Sequence, residues 1–137
     1  MVAVPHPPTY DDGPALVRLR EIALALPDAA EKQSHGGLAF YTTKVFAYFG
    51  GSEKAGDGYT RHGSSVLVRA DPVERPALLE SPRCYLPMYV GVSGWVGLHL
   101  DDDPDWAEVA ELVETSYRLT AGPRRVQRLD ALRSDSP

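Results

Sequence analysis

Apolar residues recur along this chain with two different periods, and the switches between them mark out the elements. Leu16, Leu19, Ile22, Ala23 and Leu26 fall three and four apart, which is one face of a helix. Asp12-Gly13-Pro14 opens that helix and Pro27 ends it, because proline has no amide donor and disfavours helical geometry before it. The runs LAFYTT at 38–43 and KVFAYFG at 44–50 are aromatic and β-branched and predict two strands turning at Thr43-Lys44. SSVLVR at 64–69 predicts another strand, and Asp71-Pro72 opens a short helix over Val73–Glu80. Met88, Val90 and Val92 alternate, as do Val96, Leu98 and Leu100 beyond Ser93-Gly94, which predicts a hairpin. Asp101, Asp102 and Asp103 with Pro104 then cap the longest helix, 104–119, with Trp106, Val109, Ala110, Val113 and Tyr117 on one face. Gly122-Pro123 is its stop signal. Two stretches lack periodicity: Asp28 to Gly37 reads as a loop, and Gly51 to Gly63 as a flexible connection.

Strands joined by short turns and bounded by amphipathic helices predict an α+β domain of two layers. The expected sheet is antiparallel, with about five strands and the helices packed on one face. Residues 13–121 make the single domain. Residues 1–12, which include several prolines, form a flexible arm, and residues 122–137 a basic tail.

Charge sharpens this division. The chain of 137 residues carries a net charge of -5. Up to residue 116 there are 9 Lys/Arg against 17 Asp/Glu, and from 117 onward 5 against 2. An acidic body with a basic tail does not coat nucleic acid over a broad face, so any phosphate contact comes from a local patch. The tail either docks on the acidic body or meets an external phosphate. The single cysteine, Cys84, excludes an internal disulfide and reads as a packed hydrophobe. No apolar run approaches the roughly 20 residues that span a bilayer, and the amino terminus lacks the pattern of a signal peptide. The expectation is a cytoplasmic protein with no membrane association.

Candidate chemistry is sparse. His99 with Asp101, Asp102 and Asp103 could offer ligands to a hard cation, but the aspartates are already explained as a cap. Ser34-His35 and Ser93 lack a nucleophile-elbow context, and there is no phosphate-binding loop or dinucleotide fingerprint. Gly91-Val92-Ser93-Gly94 has the form of a GXXG loop, but strands flank it. The sequence therefore predicts no cofactor, no metal and no catalytic set.

The segments ALALPDA at 23–29, SHGGLAFYTTKVFAYFG at 34–50, SVLVRADPVER at 65–75 and YVGVSGWVGLHLDDDPDWAEVAELVETSYRLTA at 89–121 resemble the MmcQ/YjbR family of small bacterial proteins. The resemblance implies a frataxin-like α+β fold and a "double wing" mode of DNA binding. Carried onto this chain, the wings are Gly51–Gly63 and Gly91–Trp95. The second holds no Lys or Arg. The candidate nucleic-acid contacts are Lys54, Arg61 and His62 in the first wing and Arg124, Arg125 and Arg128 in the tail. So few cations predict weak, salt-sensitive binding. The alternative is a non-enzymatic module for a protein or small ligand. Its candidate surface aromatics are Trp95 and Tyr89, and Tyr41, Tyr48, Tyr85 and Tyr89 are available to line a groove.

Overall fold

The computed structural model describes residues 13–34 and 37–134. The expected arm at 1–12 and His35 lie outside the described residues. The elements in chain order are α1 (Pro14–Leu24), β1 (Ala30–Ser34), β2 (Gly37–Tyr41), β3 (Val45–Ala55), β4 (Gly58–Arg69), α2 (Arg75–Glu80), β5 (Cys84–Tyr85), β6 (Trp95–His99), α3 (Trp106–Thr120) and α4 (Pro123–Ser134). The strands form one antiparallel sheet in the order β1-β2-β3-β4-β6-β5. It has six strands where about five were expected.

The extra strand is β1. Its sequence AEKQS is polar because it is an edge strand with no fully buried position, so the predicted loop over Asp28–Gly37 is corrected there. The predicted connection over Gly51–Gly63 is also ordered. β3 and β4 continue through it as one long hairpin whose two-residue turn is Gly56-Asp57, with Gly56 at φ 56°.

Period two explains the two faces of the sheet. Leu38, Phe40, Phe49, Val66, Val68, Val96 and Leu98 point to one side and pack with Leu16, Leu19 and Ala23 of α1 and Val109, Val113 and Tyr117 of α3. Cys84 joins this core from β5. All four helices contribute to that layer, through Leu78 and Leu79 of α2 and Leu129 of α4. Leu67, Tyr85 and Trp95 face the other way, with Val45, Tyr48 and Val90 against them.

Polar bonds fix α3 on the sheet. The buried Ser116 hydroxyl donates to the Phe46 carbonyl at 2.6 Å and accepts from the Arg69 amide at 2.9 Å, joining two strands to the helix. The Tyr117 hydroxyl donates to the Pro27 carbonyl at 2.7 Å, and its ring meets Phe46 edge-on at 5.3 Å. The cap of α3 is Asp105, whose carboxylate accepts from the Ala107 and Glu108 amides. The predicted cap at Asp101–Asp103 is thus displaced, because Pro104 stands before the cap rather than in the first turn. Trp106, expected in the core, is only half-buried at the helix start. Among the described residues no helix is long and apolar enough to cross a membrane.

Candidate functional site

The helix-free side of the sheet is where the chain departs furthest from regular pattern. The predicted strand through Met88, Val90 and Val92 does not form. β5 ends at Tyr85, Pro87 cannot donate to a ladder, and the backbone then turns on itself. The Met88 amide donates to the Ser52 carbonyl at 2.9 Å, and Pro87 bridges Glu53. The next step is a γ-turn: Val90 N–H donates to the Met88 carbonyl at 2.7 Å across Tyr89, which sits at φ 66° and ψ −69°. Val90–Ser93 continues as one 3-10 turn and closes on Gly94. The Arg75 guanidinium holds this segment from behind, with Nη2 donating to the Gly91 carbonyl at 2.6 Å.

A groove of about 650 Å³ lies between this segment and the sheet. Tyr48, Leu67, Met88, Tyr89 and Val90 supply its apolar walls, with Gly50, Gly51 and Ser52 of β3 beneath. The described lining residues include no ionisable acid, lysine, arginine or histidine. Tyr89 stands at its edge with 86% of its surface exposed. A bulky residue in the left-handed region, held there by the surrounding bonds, is strain of the kind stored at working surfaces.

Beside the groove, Tyr85 is laid across the sheet by two glycines. A Cβ on Gly97 would fall inside the Tyr85 ring, and one on Gly51 would lie 2.5 Å from its hydroxyl. That hydroxyl is 2.7 Å from Ser65 Oγ, and Ser65 donates its own proton to the His62 carbonyl at 2.8 Å. Tyr85 is therefore the donor to Ser65. Burial pushes its ionisation up to about 12, which keeps the proton in place. His62 lies against the Tyr85 ring at 4.4 Å and the His99 ring at 4.6 Å, and is 3.0 Å from Glu53 Oε1. A smaller hollow of about 400 Å³ runs from His62 and His99 to Asp101–Asp105. Among the described residues no group of three or more His, Cys, Asp or Glu is placed to hold a metal ion.

The predicted contact residues separate into two sets. Lys54 and Arg61 are exposed near the tip of the β3–β4 hairpin, where Arg61 lies over the Tyr59 ring at 5.9 Å. His62 is turned inward to Glu53. Arg125 and Arg128 are at the opposite end of the sheet, both paired with Asp28, and Arg125 also donates to Thr43 beside the start of β3. At about 3.3 Å per residue, the length of β3 puts the two sets on the order of 30 Å apart. Arg124 is exposed. Of the aromatic candidates, Tyr89 is at the surface, but Trp95 is 8% exposed and packs on Tyr48 at 5.4 Å. Its placement as a surface residue is corrected: it lies on the expected face, but Tyr48 and Val90 cover it. Tyr48 lines the groove as anticipated, whereas Leu67 and Met88 were not singled out. The signal that was available for the floor is the Gly50-Gly51 pair inside an otherwise bulky strand.

The YjbR family model matches residues 24–119. Among solved structures, a protein from Pseudomonas syringae aligns with a TM-score of 0.59 at 16% identity, over 76% of this chain and 97% of its own. A Deinococcus radiodurans protein with a DUF419 domain aligns with a TM-score of 0.57 at 20% identity, over 76% of each chain. At these identities the likeness is one of fold. No curated protein sequence matches the chain.

Proposed function

The chain belongs to the YjbR family, and from that fold and the groove on its open side we propose that it is a non-enzymatic module that binds a neutral, largely aromatic small molecule. The observation that carries this reading is Tyr89, exposed and strained at the edge of the groove. The volume falls within the range of about 300–1,000 Å³ typical of small-molecule sites. Among the described residues the walls carry no acid, lysine, arginine or histidine, which favours an uncharged ligand, since a buried charge there would lose its water without gaining a partner.

The test uses the neutral probe N-phenyl-1-naphthylamine. Trp95 packs on Tyr48, which lines the groove, so its fluorescence reports occupancy. One-to-one binding in the micromolar range with quenching of Trp95 is expected, weakened at least tenfold by Tyr89→Gly. Binding that ignores this substitution, or no binding at all, would overturn the reading.

A second reading, weak duplex binding at the hairpin tip, is favoured by one feature: Lys54, Arg61 and Tyr59 combine two cations with an exposed ring. Two neutralised phosphates predict affinity that fades within a modest rise in salt. Anisotropy of a labelled duplex at low salt, with Lys54→Gln and Arg61→Gln, distinguishes it from binding elsewhere on the chain.

A further inference from the structure

α4 lies beyond the segment that the family model matches, residues 24–119. It is attached in an unusual way. Leu129 is its one buried residue, while Leu132 remains about half exposed. Its other side-chain bonds to the rest of the chain are mainly ionic, with Arg125 Nη1 also donating to the Thr43 hydroxyl at 3.2 Å. Asp28 takes two guanidiniums at once, Arg128 Nη1 on Oδ1 at 2.9 Å and Arg125 Nε on Oδ2 at 3.1 Å. Arg118 of α3 pairs with Asp130 of α4 at 2.9 Å, and Arg133 pairs with Glu114 of α3. These pairs are largely solvent-exposed, so each contributes little and all are screened by salt.

We propose that α4 is a latched arginine helix, in which Asp28 occupies Arg125 and Arg128 in place of the phosphates of a nucleic-acid backbone. A phosphodiester presents two acceptor oxygens, as the Asp28 carboxylate does, and guanidinium is well suited to bind both. Arg125 and Arg128 are three residues apart and project from the same side of the helix. Arg124 sits beside them, exposed. Exchange of Asp28 for phosphate therefore frees one acidic residue and engages a cluster of three arginines. An anionic membrane fits less well, because α4 has no aromatic residue and only Val126, Leu129 and Leu132 among its larger apolar side chains. This surface is independent of the groove and is at the other end of the sheet from Lys54 and Arg61.

Asp28 has φ 63°, and asparagine adopts that region at least as readily, so Asp28→Asn removes the charge without disturbing the backbone. The experiment measures anisotropy of a labelled 20-base-pair duplex at low salt with the full chain, alongside hydrogen exchange of the α4 amides. Asp28→Asn should tighten binding about five- to tenfold and speed exchange in α4. Adding Arg125→Gln and Arg128→Gln should remove the gain, while Lys54→Gln and Arg61→Gln should leave it. Glu80→Gln, an exposed acid on α2, controls for net charge and should change binding less than twofold. The proposal is overturned if Asp28→Asn gives no gain, if Glu80→Gln gives the same gain, or if the gain survives loss of Arg125 and Arg128. Binding of the Asp28→Asn variant to phosphatidylserine vesicles but not to duplex would also overturn it.

Discussion

The two faces of the sheet are built from the same strands but to different rules. Toward the helices, Phe40, Phe46, Phe49, Val66 and Val96 are fully buried, and the polar atoms among them are bonded: Ser116 to Phe46 and Arg69, Tyr117 to Pro27. Toward the open side, Leu67 and Val45 stand among tyrosine, tryptophan, histidine and glycine, and their cover is a single irregular segment at 86–93. The first face fills its space. The second leaves space and holds an exposed, strained tyrosine over it. A face that only stabilised the fold would gain nothing from either feature, and that contrast is what supports the proposed binding on the open side.

The largest expected effect breaks the contrast at its strong end. Phe46→Ala removes a fully buried ring that also meets Tyr117, and should cost about 3–5 kcal/mol in chemical denaturation. Tyr48→Ala, two residues along β3 on the open face and only half-buried, should cost less than about 2 kcal/mol. Equal losses would mean that both faces are load-sharing cores, and the functional assignment of the open side would lose its basis.

A smaller effect tests how the open side keeps its shape. Gly97→Ala places a methyl group in the Tyr85 ring and should destabilise by roughly 1–3 kcal/mol. Tyr85→Ala removes the ring and with it the clash, so the double variant should be no less stable than Tyr85→Ala alone. Strong non-additivity is the expected signature. Additive losses would show that Gly97 is required by its own backbone and not by the ring above it.

The difference between the faces also explains what the sequence made legible. The helix face was readable because burial on one side imposes alternation, as in Val96, Leu98 and Leu100, and a stripe of period 3.6, as in Leu16 to Leu26. β1 was not readable because AEKQS lies at an edge with no buried position, so nothing forces apolar residues on it. The distal hairpin GSEKAGDGYTRHG is largely solvated, and its strands are specified by the Gly56-Asp57 turn rather than by pattern. At 88–92 the alternation was genuine but misleading. Pro87 and the Tyr89 turn redirected residues that would otherwise pair, and period alone carries no information about a backbone angle. The groove was hidden for the same reason, since the cover over Tyr48 is set by that turn. For the tail, the cations beyond Gly122-Pro123 were visible as unexplained charge, and the acidic residues that receive them, Asp28 and Glu114, are distant in sequence.

The smallest effect is the most discriminating. Tyr89 pays for its left-handed backbone with strain of order 1–3 kcal/mol, while its exposed ring contributes little to burial. Glycine reaches φ 66° without that penalty but loses more conformational entropy on folding, by roughly 0.5–1 kcal/mol. Tyr89→Gly should therefore be neutral to about 2.5 kcal/mol more stable than the native chain. Tyr89→Ala keeps the backbone strain and discards the ring, so it should not gain. If glycine stabilises while weakening the neutral probe, strain is being retained at a residue whose worth lies in binding. If glycine destabilises by more than about 1 kcal/mol, the ring is part of the fold's own packing, and the groove would have to be read as an imperfection of cover over Trp95 and Leu67 rather than as a site.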